Sequence, residues 1–397
     1  MDLLNNIKAC RSPRPAFLIP FLLVSSLFFL WGFAHSILEV LNPHFQASFH
    51  LSKTQAAWVQ AAVYGGYFLM AMPAGAILRR WGYKAGVLTG LWLYGLGALL
   101  FIPGSSLHSF PFFIGCLFII GCGLTCLETS ANPYVTVLGS PDGAERRINL
   151  AQSLNGLGWI VGPLAGGQLL FSGGDIALPY TGVGLLVCGV AVVFSRLKLP
   201  EIAEAEEESD AVDHRLWTPA FYAGMGALFL YVAAQTGVNS FFINYMVEQV
   251  DMTPTVASRY LGFGGMGLFV LGRLSGSWLM NYLKPVRLLG IYAGVSCLAT
   301  VGIVAVSGYW TLGLFFLVYL CESIMFPTIF SLALRDCHGH TKRASSYLIM
   351  TIVGGALSPL LMGMIADATG DLRVAYMVPL ICFVGIALYS FGLSKLH

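Results

Sequence analysis

The chain has 397 residues, 57% hydrophobic and 10% charged, where an average soluble domain carries about 25% charged residues. That composition excludes a water-soluble globule. A formal net charge of +2, with no basic run interleaved with aromatics, gives no sign of nucleic acid as a partner, and nine cysteines, mostly inside apolar runs, make no disulfide framework.

At about 20 residues per membrane-crossing helix, twelve spans need roughly 240 residues. The apolar runs fall at 17–41, 55–78, 85–102, 110–138, 148–171 and 177–195, then at 217–247, 255–280, 287–306, 310–334, 344–367 and 373–393. No ten-residue alternating segments of the β-barrel kind are present. The expected fold is an all-α membrane protein with 12 transmembrane helices. The run after the basic N-terminal tail is too long for a signal-peptide core and reads as the first span.

The six-and-six spacing predicts an N-terminal six-helix bundle over 1–195, a linker over 196–216 and a C-terminal six-helix bundle over 217–397. Seven acidic residues between Glu201 and Asp213 make the linker too polar to fold by itself. Basic residues follow the positive-inside pattern. With the N-terminus in the cytoplasm, 17 of the 21 Lys and Arg lie on that side, three (Lys53, Arg259, Arg373) lie opposite, and Arg273 falls within a span. Both termini are therefore expected to be cytoplasmic.

The halves repeat each other. FLWGFAHSILEV from Phe29 aligns with FLYVAAQTGVNS from Phe229 at an offset of 200. ETSANP from Glu128 aligns with ESIMFP from Glu322 at 194, and the segments containing Pro163 and Pro359 align at 196. A duplicated unit is the pattern of transporters that hold substrate between two halves near the membrane midplane.

Of 19 acidic residues, only Glu39, Glu128 and Glu322 stand well inside apolar runs. A carboxylate at a helix centre costs about 2.5–3.5 kcal/mol even on the most lenient scale, so such a group usually faces a cavity, a partner or a pathway. A proton carrier needs a carboxyl group in such surroundings. On the first span His35, Glu39, Asn42 and Gln46 share one face, and Pro43 weakens the helix beside them. His35 reads either as a hydrogen-bonded structural residue or as a relay. The fourth span aligns Thr125, Glu128 and Asn132; the fifth Asn149, Gln152, Asn155 and Trp159; the seventh Tyr231, Gln235 and Asn239. Amides donate and accept, and aromatic faces suit a sugar ring, so these stripes describe a neutral hydroxyl-rich solute. Arg273 and Glu322 sit at similar depth and are expected to form a structural ion pair, because an intramembrane Arg usually pairs. No metal site is expected; Cys122 and Cys126 read as packing residues.

GAILRRWGYK, with Gly75, Arg80, Gly82 and Lys84 in place but Arg79 and Tyr83 departing, resembles the loop motif of the major facilitator superfamily. CLETSANPYVTVLG from Cys126, RINLAQSLNGLG from Arg147, FFLWG from Phe28 and ILEVLNPHF look like the fucose–galactose–glucose:proton symporter family within it, over essentially the whole chain. The resemblance implies proton coupling at Glu39 and Glu128 and a sugar cavity lined by Gln152 and Asn155. With Asn42, Asn132, Gln235 and Asn239, and with both acids contributing, these make the expected substrate site. The expectation is a proton-coupled importer of a hexose or deoxyhexose working by alternating access in a bacterial inner membrane. Its partners would be sugar, protons and membrane lipid; it would act as a monomer, with the proton as coupling ion and no other cofactor. A proton-driven exporter of sugars or other small polar solutes is the alternative, and a non-transporting nutrient sensor a more distant one. No catalytic constellation or nucleotide loop is visible, so no enzyme is expected.

Overall fold

A computed structural model describes residues 15–137, 144–172, 175–197, 218–334 and 341–396. From residue 198 onward the expected linker lies outside the described residues, as do Lys8, Arg11, Arg14 and Arg335. The described residues contain helices and turns and no strand. They form α1 (Pro15–Phe49), α2 (Lys53–Leu78), α3 (Arg80–Leu107), α4 (Phe110–Val137), α5 (Ala144–Leu170) and α6 (Ala177–Arg196). The second set is α7 (Pro219–Val250), α8 (254–279), α9 (Pro285–Ala305), α10 (Trp310–Leu334), α11 (341–369) and α12 (Leu372–Leu393).

Ten of these are long and apolar enough to cross a membrane by themselves. α5 and α8 fall short because they carry the amide stripe and two arginines, and they pack against each other. Gly262 abuts the Ile160 carbonyl, Gly167 abuts Ser258, and Arg259 Nη2 donates to Gln168 Oε1 at 3.0 Å.

Gly82 kinks the chain at the start of α3. Its φ of 79° lies where only glycine is free of Cβ strain, which explains that position of the loop motif. Lys84 Nζ then donates to the carbonyls of Ser195 (2.9 Å) and Leu197 (2.8 Å), a cation at the C-terminal end of α6, where the helix dipole favours it.

The sequence repeat is also a repeat of contacts. Gly158 of α5 lies against the Phe29 carbonyl of α1, and Gly354 of α11 lies against the Phe229 carbonyl of α7. A β-carbon at either glycine would collide with main chain, which cannot move aside as a side chain can.

The halves meet at one end of the bundle. Lys53 Nζ pairs with Glu248 at 2.9 Å. Asp367 of α11 accepts from the amides of Lys53 (3.0 Å) and Thr54 (2.9 Å) and from Thr54 Oγ1 (2.6 Å), so a carboxylate from one half caps a helix N-terminus of the other.

Candidate functional site

α1 runs through Pro43 to Phe49, beyond the apolar run that ends at 41, because its polar face is bonded on both sides. Glu39 is 2% exposed. Its Oε2 accepts from Gln60 Nε2 of α2 at 3.0 Å, and the Ser240 hydroxyl of α7 faces the same carboxyl. One turn further, Asn42 Nδ2 donates to the Ser240 carbonyl at 2.9 Å. Gln46 Nε2 donates to Asn42 Oδ1, and Asn244 Nδ2 to Gln46 Oε1, both at 2.9 Å.

A second cluster lies deeper along α1. The Tyr67 hydroxyl of α2 accepts from Trp31 Nε1 at 2.8 Å and lies 3.0 Å from His35 Nε2. It also faces the Glu128 carboxyl of α4, so one phenolic proton can serve either His35 or Glu128. Around His35 stand Trp31, Tyr64, Tyr67 and Trp159, with ring centroids 5.4–6.1 Å away and Trp159 stacked on it. Thr236 Oγ1 of α7 donates to the Tyr64 hydroxyl at 3.3 Å, so this cluster too touches the second half.

Glu39 is thus held by a neutral donor and Glu128 faces one, and neither forms an ion pair among the described residues. An arginine beside either would fix it as an anion. An amide or a hydroxyl tolerates both protonation states, which is what a group that must load and release a proton requires.

The remaining amides divide. Asn132 shares a small cavity with Trp31, Leu127 and Glu128, and its Oδ1 is buried without a partner. Asn239 is 2% exposed with Oδ1 likewise unpartnered. Gln152 and Gln235 are half-buried. Asn155 is different: its Nδ2 donates to the Phe28 carbonyl at 3.1 Å, tying α5 to α1. The Asn149 side chain lies outside the described part of the molecule. The cavity beside Glu128 has room for about one water molecule, so a larger solute enters only when the surrounding helices part.

The sequence matches the model of the Major Facilitator Superfamily over residues 24–351. It is 35% identical to an L-fucose-proton symporter of Escherichia coli, covering 94% of this chain and 93% of that one. It is 36% identical to a glucose/galactose transporter of Brucella abortus, covering 93% and 92%. The crystal structure of FucP in the outward conformation superposes with a TM-score of 0.70 at 34% identity, over 94% of this chain and 98% of that one. This chain belongs to the Major Facilitator Superfamily. Within it, the chain falls in the fucose–galactose–glucose:proton symporter family, and it is a multi-pass membrane transporter rather than an enzyme.

One expectation for this facilitator does not hold. Arg273 and Glu322 form no ion pair. Both carboxyl oxygens of Glu322 are buried without a hydrogen-bond partner, while Arg273 Nε donates to the Ser323 carbonyl at 3.3 Å and its guanidinium lies 5.0 Å from the Phe269 ring centroid. The reason lies in α10. Pro327 has no amide hydrogen, so the carbonyl four residues earlier, that of Ser323, has no partner within the helix, and α10 turns at 323–324. Arg273 supplies the missing donor.

Gln60, Tyr64 and Tyr67 are the functional residues that the sequence reading does not single out. Their spacings of four and three on α2 match those on α1 and were the signal available, but tyrosines and one glutamine in a span are less conspicuous than acids.

Proposed function

We propose that this transporter is a symporter that imports a monosaccharide, of the fucose, glucose or galactose type, with protons by alternating access. The observation that carries the reading is that Glu39 is held by a neutral donor and Glu128 faces one where the two halves meet. The names of the relatives supply the substrate class. With Glu39 protonated, the α1–α7 contact closes without burying a charge; sugar then lies between the halves on the amides of Asn132, Gln152, Gln235 and Asn239. Asn42 and Asn155 shape the site through the helices they hold.

The same reading gives bundles over 1–195 and 217–397 that rock about a linker at 196–216. It places the chain in a bacterial inner membrane with both termini in the cytoplasm, as a monomer among lipid, with the proton as coupling ion and no cofactor. The driving force is sufficient. One charge moving through 100 mV is worth about 2.3 kcal/mol, and at about 1.4 kcal/mol per tenfold that supports roughly 50-fold accumulation.

The test is uptake of labelled fucose, galactose and glucose by proteoliposomes under an imposed pH gradient. At least one sugar should accumulate and lose that accumulation in Glu39→Gln, with exchange of sugar across the membrane retained. Gradient-driven efflux without uptake, or normal accumulation by Glu39→Gln, would overturn the proposal.

A further inference from the structure

The unpaired state of Glu322 has no place in the mechanism above. Glu322 is fully buried, at 0% exposure, with both oxygens unpartnered. The titratable groups in its field are Tyr231 of α7, Tyr319 and Cys321 of α10, and Tyr376 of α12. Tyr231 lies in the field of both Glu322 and Arg273. From α9, Ser296 faces Cys321. A buried anion with neither counter-ion nor donor is among the costliest arrangements a protein interior can hold, whereas a neutral carboxyl group is tolerated far better. This packing therefore suits Glu322 with its proton on.

A cation stands nearby without touching the carboxyl group, with Tyr231 in the field of both. Arg273 is bonded to the carbonyl of the very next residue, and a guanidinium has five donors. α8 also has the means to move. Its segment Tyr260–Met266 is a π-helix, and Arg273 stands beyond it in the α-helical segment Gly267–Leu279. Resetting a π turn to α displaces the rest of the helix by about one residue, roughly 100° of rotation and 1.5 Å along the axis.

We infer that Glu322 is a further proton-binding site, in the second half of the chain: protonated in the arrangement seen here, and paired with Arg273 once the proton leaves to water. On deprotonation the guanidinium exchanges the Ser323 carbonyl for the carboxylate. The α10 break loses its outside donor, and α8 turns relative to α10. This rests on the proton-coupled reading, but its test uses no sugar, so the two can fail separately.

The experiment is infrared difference spectroscopy of the purified protein in lipid, with pH as the variable. Wild type should show a protonated-carboxyl C=O band that shifts in deuterated water, fades on alkaline titration and is absent from Glu322→Gln but present in Glu39→Gln. In Arg273→Ala the anion has no partner, and the band should persist at least one pH unit further. Arg273→Lys, which keeps the charge, should stay closer to wild type and serves if the alanine variant does not fold. Spectra of Glu322→Gln and wild type that coincide would overturn the inference, as would a titration that neither Arg273 variant shifts.

Discussion

Asn42 Nδ2 and the Ser240 carbonyl are 2.9 Å apart, and that bond joins the first helix of one half to the first helix of the other. It begins a ladder through Gln46 to Asn244 that continues to the Lys53–Glu248 pair. Asn42 in this state is a tie between halves, with Glu39 at the foot of the ladder. Gln46→Leu removes the bond to Asn244 that crosses between the halves, at about 1 kcal/mol, roughly a fivefold shift of a two-state equilibrium. Cysteines placed along the inner faces of α1 and α7 should react faster with a membrane-impermeant maleimide applied from the end that carries Lys53. No change in labelling rate would show that the ladder does not hold that end shut.

Two neighbouring amides of α5 should separate stability from binding. Asn155 is buried and bonded to the Phe28 carbonyl, so Asn155→Ala should cost about 1 kcal/mol of stability and lower the melting temperature along with sugar affinity. Gln152, half-buried, has no such tie among the described residues. Gln152→Ala should leave the melting temperature unchanged and weaken sugar binding alone. If both variants melt as wild type does, the α1–α5 bond contributes nothing and Asn155 belongs with the sugar-lining amides instead.

Outside the membrane, Asp175 ties the α3 end to the start of α6. The Ala177 amide (2.9 Å) and the Ser105 hydroxyl (2.8 and 2.9 Å) both donate to its carboxylate and hold it below the usual aspartate range. A carboxyl group depressed in the folded state contributes stability above its unfolded range and loses it as pH falls through the folded one. Asp175→Asn should therefore melt below wild type at neutral pH, and the two curves should converge in acid. A constant gap across pH would mean that the charge of Asp175 contributes nothing.

Much of this arrangement was readable in the sequence because helical spacing is arithmetic. His35, Glu39, Asn42 and Gln46 share a face on any α-helix, and the duplicated Phe29 and Phe229 segments do make equivalent glycine contacts in the two halves. What spacing does not give is rotation. Arg273 and Glu322 are at similar depth, yet which way each helix turns its side chain depends on a π segment in α8 and a break in α10. The break had a signal, since Pro327 minus four is Ser323. That Asn42 ties the two halves, Asn155 ties α5 to α1 and Asn239 leaves its oxygen unpartnered had none, because the three present the same chemistry and differ in which helix lies opposite.

Tyr67 offers a sharper test of coupling than either acid. Its hydroxyl joins Trp31, His35 and the Glu128 carboxyl, so Tyr67→Phe removes the bridge while leaving the ring that packs on His35. When Glu128 ionises it loses that donor, and hydrogen bonds to charged groups are worth about 1.5–3 kcal/mol, or roughly 10- to 100-fold at 1.4 kcal/mol per tenfold. Sugar exchange between loaded vesicles and medium, which needs no net proton release, should be largely spared. Accumulation driven by a pH gradient should fall by that factor. A merely structural tyrosine would lower exchange and accumulation together, and that outcome would remove Tyr67 from the proton path.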